Sequence, residues 1–215
     1  MQRGGPLMWL ILFCSVVAVA IFAERLAYFH RASIHVAEFL RGLANLIERG
    51  SIGEARQECA GAPGPVPRVI HAALARHEES RAELRAIVQD AGQLEAPRLE
   101  RNLWVLPTVA FVTPLIGLLG TVGGLIEVFS VISSRNGYAS SADISNGVYH
   151  SLLTTAAGLV VAIPAAVAYC YLCARRNALL RDMERAGIEI VQLLTERRGA
   201  AKIIDLPSRR QLSGE

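Results

Sequence analysis

Two kinds of hydrophobic pattern divide this chain. In Leu7 to Ala23, Leu103 to Ile126 and Ile144 to Ala174 the apolar residues run on almost unbroken. The first two stretches hold no charged side chain, and the third holds only His150 as a group that titrates near neutrality. Each reaches or approaches the roughly 20 apolar residues needed to cross about 30 Å of hydrocarbon, so each predicts a membrane-spanning helix. Elsewhere apolar positions recur at helical spacing among charges. Ile34, Val36, Phe39, Leu40, Leu43, Leu46 and Ile47 form one such run before Gly50. Leu179, Leu180, Met183, Ile188, Ile190, Val191, Leu193 and Leu194 form another, among Arg181, Asp182, Glu184, Arg185 and Glu189.

Between these runs, the three alternate prolines of Gly61-Ala62-Pro63-Gly64-Pro65-Val66-Pro67 predict a break. Val69 to Leu84 and Leu84 to Leu103 resume a helical pattern, expected to continue into the second span. The third span is expected to continue past the membrane in the same way. The fold class is therefore an all-α membrane protein with three transmembrane helices, spans two and three extending into a helical domain. The expected divisions are an N-terminal segment 1–6, span one 7–26, a helical loop 27–102, span two 103–133, a short loop 134–146, span three 147–174, a helix 175–205 and a Pro/Ser/Arg-rich disordered tail 206–215.

Charge orients these elements. Of the 215 residues 52% are hydrophobic and 19% charged, with a formal net charge of +3. Residues 24–101 hold eleven Arg and eleven acids, the stretch from Arg175 holds nine Lys plus Arg against six acids, and only Arg135 lies between spans two and three. The positive-inside rule then places the long loop and the C-terminal helix in the cytoplasm, and residues 1–6 and 134–146 outside. Nucleic acid is not needed to explain the basic balance. Span one has a second reading as a signal peptide, because Arg3 precedes it and Ala18-Val19-Ala20 resembles a cleavage site. Its continuation to Ala23 and then Glu24-Arg25 favours an anchor. The cysteines add little: Cys170-Tyr171-Leu172-Cys173 has redox spacing but no βαβ context, and reads as small polarizable residues in a helix.

Candidate chemistry lies in spans two and three. On a helical wheel Gly147, Ser151, Thr154, Thr155, Gly158, Ala162, Ala165 and Tyr169 share one face of span three, opposite Leu152, Leu153, Leu159, Val160, Ile163 and Val167. In span two Ala110, Pro114, Gly117, Thr121, Gly124 and Val128 share a face, with Gly120 and Gly123 close by. Small and hydroxyl residues so arranged turn toward another helix. Counting at about 1.5 Å per residue puts Thr121 about 18 Å and Thr155 about 14 Å below the outer ends of their spans, at similar depth. Such residues serve either packing, with hydroxyls bonded to their own backbone, or an ion path. Glu127 and His150 lie nearer the outer ends, about 9 Å and 6 Å down. They form either a polar pair at an entrance or two side chains at headgroup level. No catalytic motif is present, and one Glu with one His is too few ligands for a closed zinc site.

The run Thr113-Pro114-Leu115-Ile116-Gly117-Leu118-Leu119-Gly120-Thr121-Val122-Gly123-Gly124, followed by Phe129, resembles the second-span signature of the ExbB/TolQ/MotA proton-channel stator family, closest to ExbB and TolQ. Gly147 through Ser151-Leu152-Leu153-Thr154-Thr155-Ala156-Ala157-Gly158 to Pro164 and Tyr169 is similar to its third-span signature. The resemblance implies a bacterial inner-membrane homopentamer around a dimer of a single-span ExbD/TolR-like partner. It further implies an ion pathway, translocating H⁺ with no cofactor, past Thr121, Thr155, Thr154 and Ser151, which face the partner's membrane carboxylate. Work would pass to TonB, TolA or a gliding-type effector. Gly117, Gly120, Gly124, Gly147, Gly158, Pro114 and Pro164 would pack the helices. Many members carry Glu where this chain has His150, and here an acid stands on span two as Glu127, so the two are expected to form a rebuilt outward entrance. A non-conducting membrane scaffold of the same fold is the alternative.

Overall fold

The computed structural model describes residues 5–32, 36–134 and 140–211, and every regular element among them is an α-helix. In chain order these are α1 (Gly5–Ala32), α2 (Val36–Glu48), α3 (Ile52–Gly61), α4 (Pro65–Ala75), α5 (Arg81–Glu100), α6 (Val105–Ser134) and α7 (Ser141–Gln211). Among the described residues three helical stretches, Leu7–Ala32, Arg81–Ser134 and Ile144–Gly199, are long and apolar enough to cross a membrane. The chain forms two compact units, one of Met1–Ala27 with Arg101–Ala174, the other of Tyr28–Glu100 with Arg175–Glu215.

The first unit is apolar outside and small inside. Phe111 and Val160 are each 70% exposed, and Trp9, Phe13, Leu119, Phe129, Ile163 and Val167 are also open. A contiguous apolar surface of this extent suits hydrocarbon rather than water. Thr113, Ser151, Thr154, Ala162 and Ala165 are buried instead. At the end of the apolar run of α1, Arg25 is buried and ion-paired with Glu24 at 3.4 Å.

The second unit follows the opposite rule, with a greasy centre and a charged surface. Leu43, Ile47, Ile70, Leu74, Leu84, Leu99 and Ile190 are fully buried. Among them the Glu95 carboxylate is buried between Arg68, at 2.9 Å, and Arg98, at 2.6 Å, whose guanidinium groups reach solvent. The Cys59 thiol is pushed up to about 12 by burial and secondarily by Glu58, so it stays protonated and inert.

Several boundaries differ from the sequence pattern. Only Ala62 to Gly64 break the proline-rich stretch, because Pro65 and Pro67 occupy the first turn of α4, where no intrahelical N–H bond is lost. Gly64 makes the bend at φ 115, and a Cβ there would stand 3.0 Å from the Ala32 carbonyl. The expected run from α5 into span two is interrupted at residues 101–104, where Asn102 takes the left-handed conformation at φ 59. α7 begins at Ser141, inside the expected outer loop, and its first turn is closed by the Ile144 N–H on the Ser140 carbonyl. It continues to Gln211, past the expected start of the disordered tail, since extending an existing helix requires fixing only one more residue per bond. The expected loop residues 135–139 and tail residues 212–215 lie outside the described residues.

Two ends in the second unit are chemically defined. α2 stops in a Schellman arrangement: Gly50 N–H donates to Ile47 O, Ser51 N–H donates to Leu46 O, and Gly50 has φ 92. α5 starts in a capping box, Ser80 N–H donating to Glu83 Oε2 at 2.9 Å and Glu83 N–H to Ser80 Oγ at 3.3 Å. The Ser80 hydroxyl first, then its N–H, hold the Glu83 carboxyl below its ordinary value.

Gly50→Ala should therefore destabilise the protein by about 1–2 kcal/mol, the cost of a left-handed L-residue. Gly42→Ala, inside α2 with nothing within 4 Å of an added Cβ, should stabilise it by about 0.5–1 kcal/mol. Thermal unfolding in detergent, followed by circular dichroism, separates the two. In the same assay Ser80→Ala should lower the midpoint near neutral pH. Because the folded Glu83 carboxyl is depressed, that difference should persist above its unfolded value and close as pH falls through the folded one.

Candidate functional site

The site begins with missing side chains. A Cβ at Gly117 would lie 2.9 Å from Thr155 Cα, and one at Gly158 would lie 2.6 Å from the Thr113 carbonyl oxygen. Backbone meets backbone there, so α6 and α7 approach as closely as two helices can. Further along the seam, toward the C-terminal end of α6, a Cβ at Gly120 would meet Thr154 Cγ2 at 2.6 Å and one at Gly124 would meet Ser151 Cβ at 2.7 Å. Gly147 abuts Val128.

This close approach brings two hydroxyls together. Thr121 and Thr155 are half-buried, and their Oγ1 atoms are hydrogen-bonded to each other. Thr155 Oγ1 also reaches the Gly117 carbonyl at 2.9 Å, across the seam. Thr121 Oγ1 lies 3.3 Å from the Ser151 carbonyl and 3.4 Å from the Gly117 carbonyl. Ser151 and Thr154 behave differently: both are buried, and their hydroxyls donate to their own helix, to Val148 O at 2.8 Å and His150 O at 2.9 Å. The structure thus joins Thr121 to Thr155 across the seam and turns Ser151 and Thr154 into packing residues with satisfied hydroxyls.

Glu127 and His150 lie elsewhere. At 3.6 residues per turn Glu127 is about 120° around α6 from Thr121, and His150 about 140° around α7 from Thr155. Both offsets run toward the side where Gly120 meets Thr154. The ionisable residues therefore share one edge of the seam and the hydroxyl pair the other. Glu127 is exposed and His150 half-buried, with its Nδ1 sealed from solvent and without a hydrogen-bond partner. No hydrogen bond or ion pair joins Glu127 to His150. Tyr149 stands edge-on to the His150 ring at 5.8 Å. α1 packs on α7, forming a groove of about 290 Å³ with Met8, Ile11, Leu12 and Ser15 against Ala157, Val160 and Val161. Neither Thr121 nor Thr155 lines this groove.

The inward face of α6 is rotated slightly from the expected one. Pro114 is half-buried, and the seam instead centres on Thr113 and Gly117, which are buried. Thr113, whose hydroxyl bonds the Val109 carbonyl at 2.8 Å, was legible as the member of the four-residue series Val109, Thr113, Gly117, Thr121. Pro164 is exposed and lines a groove toward α1 rather than the seam with α6. Cys14, Cys170 and Cys173 are free thiols on α1 and α7.

A model of the MotA/TolQ/ExbB proton channel family covers residues 62–185, which include the whole seam. The chain belongs to that family. A Synechocystis relative named biopolymer transport protein ExbB-like 3 is 30% identical over 194 residues, 88% of this chain and 92% of its own length. Biopolymer transport protein exbB1 of Vibrio cholerae is 26% identical over 174 residues, 76% of this chain and 73% of its own. The Tol-Pal system protein TolQ of Haemophilus influenzae is 41% identical over 88 residues, 41% of this chain and 38% of TolQ. The MotA/TolQ/ExbB family is one of proton channels in membranes, not a class of enzymes.

Gly117→Ala and Gly158→Ala should each force the seam apart, because the obstructing atoms are backbone. A loss of about 1–3 kcal/mol is expected from such overpacking. Gly123→Ala meets open space and should be tolerated. Unfolding temperatures of the three variants in one detergent decide the matter, and equal values would contradict the seam.

Proposed function

We propose that this chain is the channel-forming stator subunit of an envelope energy-transducing complex of the bacterial inner membrane. In this reading copies of the chain assemble as a homopentamer around a dimer of a single-span ExbD/TolR-like partner. Inward H⁺ flow past the hydroxyl edge does mechanical work on TonB, TolA or an analogous effector. Residues 1–6 face the periplasm and the second unit the cytoplasm, as the excess of Arg beside the inner span ends favours. Family membership and the names of the relatives support the biopolymer-transport role.

The observation that carries the reading is the Thr121–Thr155 pair, two half-buried hydroxyls bonded across the seam on the edge away from Glu127 and His150. The spans hold no acid near their midpoint, so a proton-binding carboxylate must come from a partner, with the hydroxyls as the groups it meets. A non-conducting scaffold is the second reading, favoured by Ser151 and Thr154, whose hydroxyls are fully satisfied inside the seam. The expected Glu127/His150 entrance would lie on the opposite edge of the seam from this path.

Thr121→Val and Thr155→Val should each lower proton flux at least about tenfold in vesicles holding the reconstituted complex, the effect of losing about 1.4 kcal/mol of barrier stabilisation. Ser at either position should retain most of it. Intact assembly of the unsubstituted complex with no flux above that of empty vesicles would favour the scaffold, and undiminished flux in both Val variants would remove the hydroxyl pair from the path.

A further inference from the structure

The two hydroxyls carry two protons, and the geometry commits both to the interior of the seam. Because Thr121 Oγ1 and Thr155 Oγ1 are hydrogen-bonded to each other, one donates to the other. The second then donates to a carbonyl. If Thr121 donates to Thr155, Thr155 donates to Gly117 O at 2.9 Å. If Thr155 donates to Thr121, Thr121 donates to Ser151 O at 3.3 Å or Gly117 O at 3.4 Å. In neither order is an O–H left over, since a hydroxyl has one proton and two lone pairs. Lone pairs alone remain for whatever approaches the half-exposed edge.

Resting on the reading of this edge as the ion path, we propose that the hydroxyl pair is an acceptor-only site that takes a proton-bearing neutral acid or a cation and disfavours an ionised carboxylate. A carboxylate needs a donor. It obtains one only if a hydroxyl swings outward, breaking the bond between the two oxygens or the bond to a seam carbonyl and leaving a buried acceptor short. A carboxylic acid, hydronium or sodium ion meets the lone pairs with every internal bond kept. On the two helices that build the pair, the nearest titratable side chains are Glu127 and His150, both on the other edge. The selectivity is therefore a property of hydroxyl polarity. Gly117 is its positioning residue, because its carbonyl orients Thr155 and its bare Cα lets Thr155 come within reach.

The test uses the full chain with its membrane partner, reconstituted in phospholipid vesicles with an internal pH dye. Proton uptake is measured against pH in sodium and in choline buffers. Thr121→Asn and Thr155→Asn each place an amide donor on the edge and so stabilise an ionised ligand. Both should move the midpoint of uptake to more acid pH by about one unit, a tenfold change in proton affinity, while Thr121→Ser and Thr155→Ser keep it. Flux lost in choline and restored by sodium would make the accepted group a metal cation, and flux equal in both buffers a proton carrier; each supports acceptor-only polarity. An unchanged or more alkaline midpoint in the Asn variants, with flux lost in the Val variants, overturns the polarity and leaves the pathway standing. Val variants that conduct like the wild type overturn the pathway itself. A measurement without substitution guards against variants that fail to assemble: the infrared band of an isotope-labelled Gly117 carbonyl in the wild-type complex. It should hold its frequency across the uptake range. A shift to higher frequency as the ligand ionises would mean the hydroxyls turn outward, and would overturn the proposal.

Discussion

The contact between bare Cα atoms and facing backbone at Gly117 and Gly158 is the constraint on which the rest of the first unit depends. Lipid tails are as apolar as leucine, so burying leucine between two spans gains little within a bilayer. What holds α6 to α7 is dispersion at short range and the hydrogen bonds that short range permits. A Cβ at Gly158 would stand 2.6 Å from the Thr113 carbonyl oxygen, with no flexible side chain to yield. Remove that proximity and Thr155 no longer reaches the Gly117 carbonyl from another helix. The hydroxyl pair is a consequence of the glycines.

From this seam the polar residues sort by reach. Ser151 and Thr154 sit at its centre, where their side chains fill the space left by Gly124 and Gly120 and their hydroxyls fold back onto their own helix. Thr121 and Thr155 sit at its border, half-buried, and bond across it. Hydroxyls of one chemical kind thus divide into packing and presentation through about 100° of helix rotation.

The spans and the small-residue faces were legible because the bilayer imposes both a length and an absence of charge that few other environments impose. The pairing of Thr121 with Thr155 was legible from depth counted along two antiparallel helices. The centre of the α6 face was not, since Pro114 and Thr113 are adjacent in sequence but 100° apart, and only the partner helix decides between them. Breaks in the second unit were harder still. Pro65 and Pro67 read as breakers although they open α4, because the pattern does not say where a first turn begins. Asn102 stops α5 short of α6 by taking a left-handed conformation that its short polar side chain tolerates but does not demand.

The same geometry bears on Glu127. It is the one acid within α6, exposed on an apolar surface and without an ion pair among the described residues. An ionised carboxylate toward the hydrocarbon costs a few kcal/mol, less near the headgroups. Depth lowers that cost but does not bring Glu127 to the hydroxyl pair, from which it is separated by about 9 Å along the helix and about 120° around it. Residues that far apart, with no shared partner, act almost additively. Glu127 and His150 share no hydrogen bond or ion pair with the side chains of Thr121 and Thr155. The ionisable edge and the hydroxyl edge are therefore two separate sites on one helix pair, so that any group reaching the threonines from outside the pair has to approach the second.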